Sequence, residues 1–251
     1  MNLDGAVTII TGAGHGIGAA TARAFAERGA QVVALGPEPD ELTALAAAIG
    51  ADPFCADVRD PAHAEAVVAH VRDRYGRLDV VVANAGIGHS GLVAEMSAQR
   101  ISDLVAVNVT APMLLARSAL PIMLEQGRGA FVLISSIAGS LLVPTETVYS
   151  ATKAAVNAFA EPLQTELHGT GVTVSTVVPA VVATDFFRAR GEPYERRFPR
   201  PIDPSRIAAA VVAAAQTGKP RYVVPRWFTI PMRLRAVAPA SYRRLARRFG
   251  G

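Results

Sequence analysis

The sequence predicts an α/β protein: a doubly wound, seven-stranded parallel sheet flanked by helices, in a single domain. Three observations predict it. Short runs rich in Val and Ile recur without polar alternation, as strands buried on both faces require. Ala-rich segments with helical periodicity separate these runs, giving the strand–helix alternation of right-handed crossovers. A glycine-rich stretch joins the first run to the first helix, where such sheets bind their ligands.

In chain order, the strands are expected at 7–11, 31–35, 53–56, 80–83, 130–135, 172–178 and 221–224. The helices are expected at 16–28, 40–49, 61–75, 98–125, 148–168 and 204–216. No internal repeat or low-complexity linker interrupts the series. The irregular stretch is 185–204, D-F-F-R-A-R-G-E-P-Y-E-R-R-F-P-R-P-I-D-P, with prolines at 193, 199, 201 and 204. It follows the sixth strand's carboxyl end, the position of a substrate lid. The chain thus divides into a catalytic domain at 1–225, carrying the 185–204 lid, and a tail at 226–251.

Hydrophobic residues make up 51% of the 251, enough for a sizeable core. The N-terminus lacks the pattern of a secretion signal, and Cys55 is the only cysteine, so no intramolecular disulfide is expected. Both fit a cytoplasmic protein. The net charge of +4 arises in the tail: 221–251 hold eight Arg and no Asp or Glu, against 17 basic and 21 acidic residues in the rest. A nucleic-acid partner is not expected, because the body of the chain carries no basic excess or recognition motif. The tail combines Trp227, Phe228, Ile230, Met232, Leu234, Tyr242, Leu245 and Phe249 with arginines. It is expected to cover the cleft or a subunit interface, or to touch an anionic membrane peripherally.

Thr11-Gly12-Ala13-Gly14-His15-Gly16-Ile17-Gly18 turns the chain from strand to helix. Glycines let backbone amides approach an anion, and the helix start offers free N–H groups to a pyrophosphate. A second frame, Gly14-x-Gly16-x-x-Ala19, also fits a dinucleotide fingerprint. Further along, Tyr149 and Lys153 are spaced i, i+4 on one helix face. A nearby ammonium favours the phenolate and so lowers the pKa of a phenol.

T-G-A-G-H-G-I-G, A-N-A-G at 83–86, Asn108 in V-N-V, S-S-I-A-G, Y-S-A-T-K and P-A-V-V-A-T at 179–184 occur in this order. Together they resemble the short-chain dehydrogenase/reductase superfamily over residues 5–224. The resemblance implies a Rossmann-like fold, NAD(H) or NADP(H), and interconversion of alcohols and carbonyls. It implies Tyr149 as acid/base, Lys153 as its tuning cation and ribose ligand, and Ser136, rather than Ser135, on the substrate oxygen. Asn108 would hold the water of a proton relay. Cofactor contacts are implied for Gly12, Gly14, His15, Gly16, Ile17, Gly18 and Gly36, for Asp57 and Val58 near adenine, and for Asn84, Ala85 and Gly86. Pro179, Val182 and Thr184 would meet the nicotinamide. Ala83 and Ala180 depart from the family's usual Asn and Gly.

Cofactor choice turns on the end of the second strand, where Gly36 stands at the acidic position of NAD-selective folds. Pro37 supplies no phosphate-binding Arg, whereas His15 could pair with a 2′-phosphate; Glu38 argues the other way if its loop folds back. The expectation is NADP(H) over NAD(H). No metal is expected. Leu141, Leu142, Val143, the 88–92 loop, Phe186 and Phe187 are expected near the reacting carbon, with Ser136, and suggest a lipophilic ketone or alcohol. Arg188, Arg190, Arg196 and Arg197 are expected to be solvated, the alternative being that they hold an anionic end of the substrate. Expected partners are a small carbonyl or alcohol substrate and further copies in a homodimer or homotetramer. The alternatives are an epimerase or dehydratase of the same family and a non-catalytic dinucleotide sensor.

Overall fold

A computed structural model describes residues 1–141, 143–195 and 197–249, of which 245–249 are described by backbone alone. The chain runs β1 (Val7–Thr11), α1 (Gly16–Ala26), β2 (Gln31–Gly36), α2 (Pro39–Ile49), β3 (Asp52–Cys55), α3 (His63–Tyr75), β4 (Val80–Ala83), α4 (Ala98–Val105) and α5 (Ala111–Glu125). It continues β5 (Gly129–Ile134), α6 (Thr147–Glu166), β6 (Val172–Pro179), α7 (Phe186–Ala189), α8 (Pro204–Thr217), β7 (Arg221–Val224), α9 (Thr229–Val237) and α10 (Pro239–Phe249). All seven strands are parallel, in the order β3-β2-β1-β4-β5-β6-β7.

Strand alternation sorts the core into two layers. Val7, Ile9, Val81, Phe131 and Leu133 face α3, α5 and α6. Ile10, Val80, Val82, Val132 and Ile134 face α1, α2 and α8. Because each β5 residue is buried whichever way it points, F-V-L-I needs no polar alternation. The order reverses beside β1, which pairs with both β2 and β4. That reversal opens a crevice at the carboxyl ends of the strands.

Two departures from the expected elements matter for the site. The 98–125 helix is divided by a π-helical turn over Ala106–Thr110. The wide turn adds one residue to the helical circuit and re-aims its side chains; Asn108 lies within it, 1% exposed. The tail is also not separate from the domain. After β7 the chain makes a 3₁₀ turn, Arg226–Phe228, and Phe228 packs in a buried cluster with Val178 and Val223.

Candidate active site

The glycine loop is shaped by close approaches. Gly12 and Gly16 have φ of 63° and 51°, the left-handed region that favours glycine. A Cβ on Gly18 would lie 1.9 Å from the Gly12 carbonyl oxygen, so Gly18 lets α1 pack against the loop. It does not line the cleft, a correction to its expected cofactor contact. The 84–86 loop is stitched to β1: the Thr11 hydroxyl accepts from the amides of Asn84 and Ala85 at 3.0 and 2.9 Å. The Asn84 side chain in turn donates to the Thr11 carbonyl at 2.9 Å. No side chain caps the start of α1, so its first amides remain available to an anion. Thr184 crosses to this loop, for a Cβ on Gly16 would meet its methyl at 3.0 Å.

A single cleft of about 1210 Å³ runs from this loop to the lid. Gly12, Gly14, His15, Gly16, Ile17, Gly36, Asp57, Val58, Asn84, Ala85 and Gly86 line one arm, and Ser136, Tyr149, Lys153, Pro179, Val182 and Thr184 line the other. Phe186 and Phe187 close its far end. The volume exceeds the range of about 300–1,000 Å³ for a single small ligand, which suits a dinucleotide and a substrate together. The residues present fit a dinucleotide: glycines where a side chain would fill the cradle, and uncapped helix amides beneath it. Among the described residues, no cluster of three metal-ligating side chains occurs.

At the adenosine end, Asp57 is engaged by Arg59. The arginine backbone N–H and Nε each donate to the carboxylate at 2.8 Å, and that hydrogen bonding holds Asp57 below the ordinary carboxylate range. Sequence reading missed Arg59, which also lines the cleft. Glu38 folds back over the end of β2, so a Cβ on Gly36 would lie 3.4 Å from its Oε2, and one on Gly14 3.8 Å. His15 Nε2 stands 3.8 Å from Glu41 Oε1. Two carboxylates therefore border the position where a 2′-phosphate was expected.

The reacting end lies between β5 and α6. Ser136 and Tyr149 are each 8% exposed, and Lys153 is 4% exposed. The Ser136 hydroxyl, at the start of a short 3₁₀ turn, accepts from the Ala138 amide at 3.1 Å. Ser135 also borders the cleft but spends its hydroxyl donating to the Lys153 carbonyl at 3.2 Å. Lys153 Nζ donates to the Ile134 carbonyl at 3.0 Å and lies 6.0 Å from the Tyr149 ring centroid. Burial lowers its pKa from 10.5 to about 8.

Tyr149 corrects the expectation of a phenol acidified by Lys153. Burial drives its pKa up, and only the Ser136 hydrogen bond and the charge of Arg190 oppose this. The ammonium is directed to the strand carbonyl instead. Asn108, brought inward by the π turn, donates to the Ile87 carbonyl at 2.9 Å and to Thr152 at 3.0 Å, and accepts from the Ile87 amide at 2.9 Å. Its Oδ1 and Lys153 Nζ converge on Gly86, each 3.3 Å from where a Cβ would stand.

The lid lies over this centre. The Phe186 ring is 5.5 Å from that of Tyr149, and Gly88 leaves it room, since a Cβ there would be 2.6 Å from the ring. Arg190 stacks over Phe187 at 4.5 Å and pairs with Glu146 at the start of α6. Their side chains are only 8% and 13% exposed, so Arg190 is not solvated as expected. Charges of opposite sign separated by 44 positions gave no local signal. Arg188 is solvated, while Leu142 and Arg196 lie outside the described residues. Leu141 packs beside Phe228, and Val143 lines the cleft. Phe228 of the tail lines the cleft, as one sequence expectation had it, and Arg100, Glu146, Glu192 and Tyr194 are further lining residues that sequence reading did not single out.

Residues 6–195 match the family model described as short chain dehydrogenase. The sequence is 34% identical over 247 residues to D-threitol dehydrogenase of Mycolicibacterium smegmatis, covering 92% of this chain and 95% of that protein. The structure superposes on a short chain dehydrogenase/reductase from Burkholderia phymatum in complex with NAD, with a TM-score of 0.85, 27% identity and 94% of each chain covered. It also matches a short-chain dehydrogenase from Sphingobium yanoikuyae in complex with NADPH, with a TM-score of 0.82, 28% identity, and 94% and 95% of the chains covered.

Proposed function

The chain belongs to the short-chain dehydrogenase/reductase family and is an NAD(P)-dependent oxidoreductase, and on that premise we propose that it interconverts a ketone and a secondary alcohol with Tyr149 as the acid/base. The observation that carries this reading is a buried Ser136–Tyr149–Lys153 group at the junction of the dinucleotide arm and the lid. When bound, the nicotinamide supplies or takes the hydride. Tyr149 gives its proton to the carbonyl oxygen in reduction and receives it in oxidation. Ser136 donates to the same oxygen and fixes its distance from the phenol. Lys153, meeting Asn108 at Gly86, would hold the ribose side of the site and pass the proton onward, with Asn108 fixing the adjoining loop through its bonds to Ile87.

Cofactor oxidation at 340 nm, measured against a carbonyl panel, tests this proposal. Tyr149→Phe keeps the ring and removes the proton, so turnover should fall by more than about a thousandfold with cofactor affinity retained. Retention of a tenth of the wild-type rate would refute the role.

For the cofactor, the proposal turns from the sequence expectation of NADP(H) to NAD(H). Glu38 borders the cleft beside Gly14 and Gly36, and this position supports a role in accepting from the adenosine ribose hydroxyls and repelling a 2′-phosphate. NADH should therefore give the higher kcat/KM, and Glu38→Gln should narrow the gap at least ~tenfold. An NADPH preference in the wild type would overturn this assignment.

The substrate proposed is amphiphilic. Phe186, Phe187, Val143 and Phe228 offer an apolar wall, and the Glu146–Arg190 pair sets charged atoms in the same cavity. That pair also supports a second reading, a polyol substrate, which the name of the 34% identical D-threitol dehydrogenase favours. A higher kcat/KM for threitol than for medium-chain hydroxyketones would select the second reading.

A further inference from the structure

Helix α9 has two faces of different fate. Phe228, just before it, is buried against Val178 and Val223; Met232 packs on the same cluster, and Arg235 donates to the Ser140 carbonyl at 2.6 Å. These positions face the domain. The opposite face carries Ile230, Leu234 and Val237, spaced four and three apart as one helical stripe requires, and Trp227, in the 3₁₀ turn before the helix, adjoins them. In that order they are 68%, 39%, 83% and 42% exposed. From the lid, Phe198 stacks on Trp227 at 5.6 Å and is itself 70% exposed. The neighbouring residue Pro199, with Tyr194 and Phe228, lines the substrate cleft. The apolar stripe therefore stands beside the mouth of the active site and joins lid to tail.

Soluble surfaces rarely leave large apolar side chains contiguous and uncovered. The charge around the stripe indicates what covers it. Arg226 and Arg233 are exposed beside it, and the sequence of α10 adds Arg243, Arg244, Arg247 and Arg248 with no acidic residue anywhere in 221–251. A second copy meeting this face through a two-fold axis would bring these six arginines against six more. An anionic lipid surface supplies both missing complements, negative headgroups for the arginines and an acyl boundary for Trp227, Ile230, Val237 and Phe198.

We propose that the α9 face and the tip of the lid form a peripheral docking surface for an anionic membrane, with the cleft mouth held toward the bilayer. Attachment is reversible and salt-sensitive, because one short helix inserts only a few side chains and the arginines act through a screened field. A substrate with an apolar body can then pass from the lipid to the site without crossing water.

The test is co-sedimentation of the full chain with phosphatidylserine–phosphatidylcholine vesicles and with phosphatidylcholine vesicles alone. Wild type should partition onto the anionic vesicles about tenfold better than onto neutral ones, and lose that advantage at high salt. Ile230→Ser/Val237→Ser changes two side chains that touch neither the cleft nor the core, so activity on a soluble substrate should persist. Its partition onto anionic vesicles should fall at least ~tenfold. Arg243→Glu/Arg244→Glu should weaken anionic binding and leave neutral vesicles unaffected. Equal sedimentation of wild type and the Ile230/Val237 variant overturns the proposal. So does a concentration-dependent dimer in analytical ultracentrifugation that this variant abolishes, which would mean that a second copy covers the face. Sedimentation does not depend on turnover, so its failure is distinguishable from failure of the dehydrogenase reading.

Discussion

Lys153→Met should make the cofactor-free protein more stable at pH 7 while abolishing turnover. Lys153 is 4% exposed, and burial lowers its pKa from 10.5 to about 8. That drop corresponds to about 3 kcal/mol of cost for carrying the ammonium in the folded state. Below pH 8 the group is charged in both states, and the full penalty stands. Between pH 8 and 10.5 the unfolded chain binds more protons than the folded one, so stability rises with pH and the penalty is relieved. Met has comparable length and no charge. It removes the penalty but leaves the Ile134 carbonyl without the bond it accepts at 3.0 Å, a loss of ~1–2 kcal/mol.

The net gain at pH 7 should be about 1–2 kcal/mol, or roughly 2–6 °C in Tm for a chain of this size. Near pH 10.5 the order should reverse, with the variant less stable by about 1 kcal/mol because only the lost hydrogen bond remains. Urea denaturation of both proteins without cofactor, at pH 7 and again above pH 10, measures the difference. Comparison at the same pH cancels the titration of every other group, Tyr149 included. A variant destabilised equally at both values would refute the reasoning, because it would show that the folded state bears no cost for the buried charge.

Three further outcomes are expected. Arg190→Met removes the pair that ties the lid to the start of α6, so the lid should open more often, seen as faster proteolysis within 185–204 and a raised KM. The double variant with Glu146→Gln should restore slow cleavage, and unchanged cleavage in the single variant would disprove the latch. Asn108→Ala removes two donated bonds and one accepted bond around Ile87 and Thr152, so thermal denaturation should show a loss of roughly 2–3 kcal/mol. Gly18→Ala puts a Cβ 1.9 Å from the Gly12 oxygen; calorimetric titration should show dinucleotide affinity down at least ~tenfold through distortion of the loop.

The elements that could be read from the sequence are those whose burial is uniform. β1, β4 and β5 are covered on both faces, so their Val and Ile runs carry no competing pattern. The order of motifs likewise placed Ser136, Tyr149 and Lys153 on one cleft. The π turn had no such signal. Val105-Ala106-Val107-Asn108-Val109-Thr110 continues an apolar helical pattern, and the only irregularity is one Asn whose amide must find partners once buried. Pairings across the chain were equally hidden. Arg190 sits in a stretch rich in both charges and became a buried partner of Glu146 only because α7 folds back over the start of α6.

Glu38 shows how a specificity signal can be displaced along the chain. The position that ends β2 holds Gly36, and an acidic side chain was sought there. Pro37 and the cap of α2 carry the backbone around the turn, and Glu38 is the cap residue, in extended conformation. From there its carboxylate returns to within 3.4 Å of the space above Gly36. A Cβ at 36 would stand in ordinary van der Waals contact with the returning carboxylate, at 3.4 Å, so a side chain longer than alanine is what would crowd it. Gly36 and Glu38 therefore act as one unit, in which the strand end provides the vacancy and the helix cap provides the charge. Glu38→Gln tests the charge alone, and Gly36→Val, which keeps the charge and adds bulk beyond the Cβ that already touches the carboxylate at 3.4 Å, should weaken NADH binding without improving that of NADPH. Improved NADPH binding in Gly36→Val would show that the carboxylate and the glycine are independent.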